Sequence, residues 1–410
     1  MAKSTVHNER PLSLWRNGDY LLLWYGQIIS AIGTQISDLA FPFLVLGLTH
    51  SPAQAGLVGA AGALPYLIFS LPAGALIDRF DRKRVMIISD TIRAISLGSI
   101  PLALLLGELT LFQIYLVSLI EGTFFVFFNL AEVSCLPRVV RKEQLSTVAS
   151  QAEVTNSLST LFGRSLGGLL YSAGQFLPFV VDTLSYIISV CSLFFIRVSF
   201  QEERQSSRQQ LGKEIWEGIE WLWHQPLLCF IALLGCVVHI VGGGLILLVI
   251  VVTQQQHIPS VEIGLILGAG GIGTFIGAVL GGFLQKHFSF AQLTISTQWL
   301  TALLFPAFLL IPNLLWIALI TSLILAVMTI YGVVQFSYRL SLIPDELQGR
   351  VNSIFRLVVF AGDPLGLALT GILLQTVGAT TTILLYTGTM LLLALMASLN
   401  RHLRQVPRQQ

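Results

Sequence analysis

The chain is a succession of long apolar runs separated by short polar segments. Windows of about 20 apolar residues, the length that crosses the hydrocarbon core of a bilayer, predict twelve membrane-spanning helices. They are predicted near residues 20–47, 54–77, 85–106, 110–136, 148–172, 175–196, 226–252, 260–283, 288–311, 313–338, 348–376 and 379–399. The pattern therefore predicts an all-α polytopic membrane protein.

The longest interruption of this pattern divides the predicted spans into six and six. We expect an N-terminal six-helix bundle over residues 1–196, a cytoplasmic linker over 197–225 and a C-terminal six-helix bundle over 226–410. The second part of the linker repeats apolar residues at helical spacing with tryptophans beside them, which favours an amphipathic helix in the headgroup plane. The residues concerned are Leu211, Ile215, Trp216, Ile219, Trp221, Leu222 and Trp223. A plain cytoplasmic linker helix is the alternative.

Composition and charge give the orientation of the spans. Hydrophobic residues make up 54% of the chain and charged residues 11%, against roughly 25% charged in soluble domains. Except for Arg93 and Arg164, every lysine and arginine falls in the termini, in connections on one side of the predicted membrane or, for Arg350 and Arg356, near the start of a span on that side. This predicts a multi-pass protein of the cell inner membrane with both termini in the cytoplasm. The first apolar run is too long for a signal-peptide core, and the net charge of +2 argues against nucleic-acid binding.

The two halves also share a short motif. GRSLGG, residues 163–168, falls in the fifth predicted span, and GDPLGL, residues 362–367, falls in the eleventh. Such a parallel repeat predicts two pseudo-symmetric six-helix halves, an arrangement that places a transport site near the membrane midplane between them.

The segment GALIDRFDRKR, residues 74–84, sets charged side chains between the second and third predicted spans. It resembles the signature that members of the major facilitator superfamily carry at this point. The matching positions are Gly74, Leu76, Asp78, Arg79, Arg82 and Lys83. Asp81 stands where many members have glycine, a substitution associated with the branch of macrolide efflux pumps and the enterobactin exporter. Further stretches that resemble this branch are NLAEVSCLPRVVRKEQL (129–145), PFVVDTLSY (178–186), EIWEGIEWL in the linker and LQGRVNSIFR (347–356).

The resemblance implies a secondary active transporter that exports lipophilic small molecules, of drug or macrolide type, by alternating access coupled to proton entry. It also implies that Asp78 contacts the N-terminus of the eleventh helix, where a helix dipole favours an anion, and so holds the outward-facing state. In GRSLGG, Arg164 replaces the proline of the related antiporter pattern. Export of a siderophore or a lysolipid is one alternative, and a transporter-like receptor without turnover is another.

Two carboxylates are candidates for proton coupling. Asp38 lies in the first predicted helix and Glu121 in the fourth. Helices 1, 4, 7 and 10 line the central cavity in proteins that this chain resembles. A carboxyl group there can take up a proton from one side of the membrane and release it to the other. An ordinary hydrogen bond between helices is the alternative at each position.

Other ionisable residues in apolar spans form a candidate charge network, since their desolvation is costly. Asp90 and Arg93 are three residues apart on one helix and can neutralise each other. Asp182 is equally compatible with a packing hydrogen bond and with a functional role. Arg164 is a candidate counter-charge or a contact for an anionic substrate group, and Asp363 is a candidate cap for a helix break or partner of Arg164.

The remaining chemistry argues against an enzyme. The four cysteines show no metal-binding spacing, and the chain has no phosphate-binding loop and no nucleophile with an adjacent base. We therefore expect no cofactor and no metal. The expected partners are a small-molecule substrate, protons and membrane lipid, and the expected state is a monomer.

Overall fold

The computed structural model describes residues 14–77, 80–141, 144–198, 211–310, 313–344 and 347–405. Within these ranges the regular structure is helical and contains no strand. The helices are α1 (Gly18–Thr49), α2 (Pro52–Ile77), α3 (Arg82–Leu106), α4 (Leu111–Val139), α5 (Leu145–Ala173), α6 (Leu177–Phe195), α7 (Leu211–Trp223), α8 (Pro226–Gln255), α9 (Ser260–Leu284), α10 (Phe290–Leu304), α11 (Leu314–Leu342), α12 (Gln348–Phe360), α13 (Gly362–Thr376), α14 (Gly378–Leu399) and α15 (Arg401–Arg404).

Ten helical segments of the described chain are long and apolar enough to cross a membrane. They correspond to ten of the predicted spans, with α12 and α13 counting as one. The two others differ for physical reasons. The helix α5 has 29 residues but carries Glu153, Arg164 and many hydroxyl side chains. The helix α10 has only 15 residues and passes at Phe305 into a 3-10 turn that contains Pro306.

Polar side chains fix several helix starts by accepting hydrogen bonds from the first free backbone N–H groups. Asn17 caps α1 by accepting from the amide of Tyr20. Asp81 caps α3 by accepting from the amide of Arg84 at 3.2 Å. Asp81, which departs from glycine in the charged segment, thus begins the third helix.

Within each half, the helices pack mainly against helices of the same half. In the first half α1 packs against α5 and α6, α2 against α4, and α3 against α4 and α6. In the second half α8 packs against α13, α9 against α11, and α10 against α11 and α14. Two extensive crossings join the halves, namely α5 on α9 and α2 on α13.

Paired glycines form both crossings. A Cβ added to Gly168 would lie 2.8 Å from the Cα of Gly264, and one added to Gly264 would lie 2.9 Å from the Cα of Gly168. Likewise a Cβ on Gly56 would lie 2.9 Å from the Cα of Gly371. Because neither backbone leaves room for a side chain, these glycines permit the close approach of the helices.

The linker forms the predicted helix, α7, which packs against α8 and α12. Leu222 is buried, whereas Trp216 and Trp223 are 65% and 79% exposed. Glu217 forms an ion pair of 2.7 Å with Arg350 at the start of α12. The side chains of Leu211 and Ile215 lie outside the described set. The linker helix is therefore attached to the second half and presents two tryptophans outward.

Candidate functional site

A buried ion cluster lies inside the first half, centred on Arg93 of α3. The side chain of Arg93 is 3% exposed. Its Nε donates to Oε2 of Glu121 on α4 at 3.1 Å, and its Nη1 lies 3.5 Å from Oδ1 of Asp90. Its Nη2 donates to the hydroxyl of Tyr186 on α6 at 2.5 Å. One guanidinium group therefore links three helices.

Tyr186 completes the cluster. Its hydroxyl donates to the same Oε2 of Glu121 at 3.0 Å, and the guanidinium of Arg93 lies 4.2 Å from the centre of its ring. Thr34 brings α1 to the cluster, since its hydroxyl lies 3.3 Å from Nη2 of Arg93. Charge-assisted hydrogen bonds of this kind are shorter and stronger than neutral ones.

Glu121 uses its two carboxylate oxygens differently. Oε2 accepts from both Arg93 and Tyr186. Oε1 is buried and has no hydrogen-bond partner among the described residues. A buried polar atom without a partner is costly. This oxygen is a place where a proton can bind while Oε2 keeps its hydrogen bonds to Arg93 and Tyr186.

Asp182 lies next to this cluster on α6 and is fully buried. Its Oδ2 accepts from the hydroxyl of Ser37 on α1 at 2.5 Å, and its Oδ1 accepts from Ser185 at 3.0 Å. Both oxygens are thus satisfied by neutral donors, and the residue ties α1 to α6.

Asp38 occupies a different environment, because its side chain is exposed. Asp38 follows the exposed Ile29 by nine residues. At 3.6 residues per turn, this spacing places the two side chains about half a turn apart around the helix axis. Asp38 therefore faces the side of α1 opposite to Tyr25 and Ile29. Its carboxylate interacts electrostatically with Arg164 and Arg93. Nε of Arg164, on α5, donates to Oε1 of Gln35, which also lies on α1, at 3.1 Å.

The second half carries its own acid–base pair. Oδ1 of Asp363 lies at a hydrogen-bond distance of 2.9 Å from Nδ1 of His239 on α8. The side chain of Asp363 is 34% exposed, and that of His239 is 32% exposed. Asp363 lies in the first turn of α13, directly after the break that separates Phe360 from Gly362. The interruption is the single residue Ala361, whose backbone angles stay helical (φ −58°, ψ −23°), and no side chain caps the start of α13. The partner of Asp363 is His239 rather than Arg164.

The charged signature after α2 is described only in part. Arg82 donates from Nη1 to the carbonyl of Ser134 at 2.8 Å. Lys83 donates to the carbonyl of Ile196 at 2.7 Å. These contacts tie the start of α3 to the ends of α4 and α6. Gly74 lies near the end of α2, and Asp78 and Arg79 lie outside the described residues.

The structure thus divides the residues that the sequence grouped as one intramembrane network. Asp90, Arg93 and Asp182 lie together, and Glu121 joins them. Arg164 lies on α5 beside Gln35, and Asp363 lies in the other half. The sequence analysis missed Tyr186 and the pairing of His239 with Asp363. Residues from different helices have no spacing that reveals such contacts, although an isolated tyrosine in a polar stretch of α6 was a usable signal.

Comparison with known proteins then identifies the family. Residues 10–410 match the family model described as transmembrane secretion effector, within the major facilitator superfamily. The chain belongs to this family. The resemblance that the charged signature predicted is confirmed, and the protein is a transporter rather than an enzyme.

Two curated relatives are similar over nearly the whole chain, and a third is similar over about half of it. The chain is 28% identical over 403 residues to the multidrug efflux pump Tap of Mycolicibacterium fortuitum, covering 95% of this chain and 98% of Tap. It is 26% identical over 399 residues to the enterobactin exporter EntS of Escherichia coli O9:H4 (strain HS), with 94% of each chain covered. The macrolide efflux protein A of Streptococcus pyogenes is 27% identical over 224 residues, 54% of this chain and 55% of that protein.

A solved structure shares the fold of this family member. The bacterial homologue of the human lysosomal transporter Spinster, crystallised in an inward-facing and unoccupied conformation, superposes with a TM-score of 0.79. The match covers 96% of this chain and 98% of that one at 14% identity. The fold is therefore that of a membrane transporter.

Proposed function

We propose that this transporter is a proton-coupled exporter of lipophilic small molecules, of drug or macrolide type, that works by alternating access. The relatives that cover nearly the whole chain are an efflux pump and an exporter. The observation that carries the proton coupling is Glu121, which holds Arg93 with one oxygen and keeps a second buried oxygen without a partner among the described residues.

The proposed architecture has twelve spans in two six-helix bundles, residues 1–196 and 226–410. In it α5 and α10 with its 3-10 extension also cross the membrane. Packing supports this placement of α5, since it packs extensively against both α1 and α9. Ser157, Ser159 and Thr160 of α5 are buried against protein, so these polar side chains lower its hydropathy without facing lipid. Both termini lie in the cytoplasm, and the chain acts as a monomer.

In the proposed mechanism a proton binds to Glu121 and neutralises its carboxylate. Arg93 then loses one of its two anionic partners and keeps Asp90, which weakens the tie between α3 and α4. A proton that moves down a membrane potential supplies about 2.3 kcal/mol per 100 mV, which is enough to bias two conformations. Asp38, exposed on α1, is the second carboxylate of the proton pathway, and it interacts electrostatically with Arg164.

The two glycine crossings are the proposed closed gate of this state. Gly56, Gly168, Gly264 and Gly371 all lie near connections that contain no lysine or arginine. With the termini in the cytoplasm, these crossings close the outer side and leave the inner side to admit substrate. In the opposite state, Asp78 contacts the N-terminus of the eleventh span and closes the inner side.

The test is proton movement in proteoliposomes that contain the full chain under an imposed pH gradient. Macrolides, lipophilic cations, catecholate siderophores and lysolipids are added in turn. We expect drug-type compounds to trigger proton flux, and we expect Glu121→Gln and Asp38→Asn to abolish it. Glu108→Gln, in the exposed connection after α3, is the matched control and retains flux.

The outcomes separate the candidate functions. Flux triggered only by catecholates makes the protein a siderophore exporter, a reading that similarity to EntS favours. Flux triggered only by lysolipids makes it a lipid exporter. Ligand binding without any flux identifies a receptor and overturns the proposal. Full flux in the Glu121→Gln and Asp38→Asn variants removes the assigned coupling residues.

A further inference from the structure

A cavity of about 870 Å³ opens at one end of the first half, away from the ion cluster. It lies where α1 begins and where α4 and α6 end. Its wall includes four arginines, namely Arg16, Arg138, Arg141 and Arg197, together with Asp19 and Phe195.

The described wall of this cavity is strongly cationic. The four arginines are all exposed, and Asp19 is the acidic side chain among the described lining residues. Oδ1 of Asp19 accepts a hydrogen bond of 2.9 Å from the backbone amide of Arg197. Positive charge therefore exceeds negative charge in the wall, and guanidinium groups suit phosphate because they can donate two parallel hydrogen bonds.

Apolar and aromatic surface adjoins the cationic wall. Phe195 lines the cavity and is 72% exposed. Trp15, next to Arg16, is 55% exposed and packs edge-on against Trp24 with ring centres 5.3 Å apart. Tryptophan is typical of the boundary between headgroups and acyl chains. A ligand here meets charge on one side and apolar rings on the other.

Hydrogen bonds between distant parts of the chain hold the wall in shape. Nδ2 of Asn17 donates to the carbonyl of Val139 at 2.7 Å, which ties the start of α1 to the end of α4. Tyr20 donates to Oε1 of Gln151 on α5 at 2.5 Å. Because Asn17 and Val139 both line the cavity, their hydrogen bond fixes two sides of its wall relative to each other.

We propose that this cavity binds the phosphate headgroup of an anionic phospholipid. Arg16, Arg141 and Arg197 contact the phosphodiester, and the acyl chains lie along Phe195 and Trp15. Basic pockets between membrane helices are known to suit such headgroups. With the orientation proposed above, the lipid belongs to the cytoplasmic leaflet, although binding itself depends on neither transport nor orientation.

The test is lipid binding to the purified full chain in neutral detergent, followed by native mass spectrometry. Phosphatidylglycerol is compared with phosphatidylcholine, and inorganic phosphate and glycerol phosphate are added in separate arms. We expect phosphatidylglycerol to bind and phosphatidylcholine not to bind. Removing two cations with Arg16→Gln and Arg141→Gln together weakens phosphatidylglycerol binding about thirty-fold, if each contributes the usual membrane-surface attraction.

The control is the pair Arg401→Gln and Arg404→Gln, which removes two exposed cations near the other terminus and leaves binding unchanged. The single variant Arg197→Gln, with a smaller loss, replaces the double variant if that one does not fold. Equal binding of the two lipids, or unchanged binding in the cavity variants, overturns the proposal. The proposal is also overturned if inorganic phosphate displaces bound phosphatidylglycerol as effectively as additional phosphatidylglycerol does, because the site then binds a soluble anion.

Discussion

Arg93 decides how the charges inside the first half are tolerated. A charged group in a membrane-spanning bundle is costly unless it is paired, and here one guanidinium serves Glu121, Asp90 and Tyr186 together. Loss of one member of a buried ion pair costs more than the pair contributes, because the other charge stays buried without compensation. The cluster is therefore sensitive at its centre.

Replacing Arg93 by leucine is expected to lower the free energy of unfolding by about 3 to 5 kcal/mol, since Glu121 and Asp90 lose their cation. Chemical unfolding of the purified protein in detergent measures the change. Arg84→Leu, an exposed cation on the same helix, is expected to change stability little. Adding Glu121→Gln to Arg93→Leu restores part of the loss. An Arg93→Leu variant as stable as the parent contradicts this account of the cluster.

The pair of His239 and Asp363 acts differently because it is about one-third exposed. Partly solvated pairs contribute little to stability, roughly 0 to 1 kcal/mol. We expect Asp363→Asn to leave the unfolding transition nearly unchanged while transport falls, since Asp363 stands at the break between α12 and α13. Unfolding and proteoliposome transport, measured on the same preparation, test this. A large stability loss with transport unaffected is the opposite result.

At the scale of helices, the two crossings between the halves depend on the absence of side chains. The backbone of α5 meets that of α9 at Gly168 and Gly264, and α2 meets α13 at Gly56 and Gly371. Such contacts gain van der Waals energy only if the helices come close. A single larger side chain therefore separates the halves at that crossing.

Gly264→Leu is expected to open the crossing of α5 and α9 and to reduce transport at least tenfold, because the closed arrangement loses more than about 1.4 kcal/mol. Gly282→Leu on the same helix is the matched control, since a Cβ there meets nothing within 4 Å. Transport by equal amounts of folded protein in proteoliposomes gives the comparison. Equal activity in the two variants shows that the crossing is dispensable.

For the whole molecule, the arrangement of the halves depends on how many segments cross the membrane. The hydropathy of α5 is too low for a candidate membrane span, yet the helix packs between α1 and α9 inside the helical array. A span surrounded by protein carries polar residues at lower cost than one that faces lipid. The proposed twelve-span topology follows from this.

Reporter fusions test that topology. We expect a green fluorescent protein fused after Arg404 to fluoresce, because it remains in the cytoplasm. We expect alkaline phosphatase to be active when fused after Gly107, between α3 and α4, and after Gly174, between α5 and α6. An inactive fusion after Gly174 together with an active one after Gly107 means that α5 does not cross.

The long apolar runs by themselves determined that the chain is a helical membrane protein, since only a helix satisfies its own backbone in lipid. The charged segment at residues 74–84 was enough to identify the superfamily. The helical spacing of apolar residues in the linker predicted the helix α7. Contacts between helices were beyond the sequence. Arg93 was predicted to pair within its own helix with Asp90, three residues away, but its shorter ion pair reaches Glu121 on α4.

The tertiary structure also decided which carboxylates are buried in the interior and which are exposed. Asp38 and Glu121 are equivalent by sequence, yet one is exposed and the other is bound to Arg93. Only the tertiary structure showed that His239 pairs with Asp363 and that four arginines surround one cavity. The reason is physical: hydropathy acts on each segment independently, whereas an ion pair or a cavity depends on the relative rotation of helices that lie far apart in the chain.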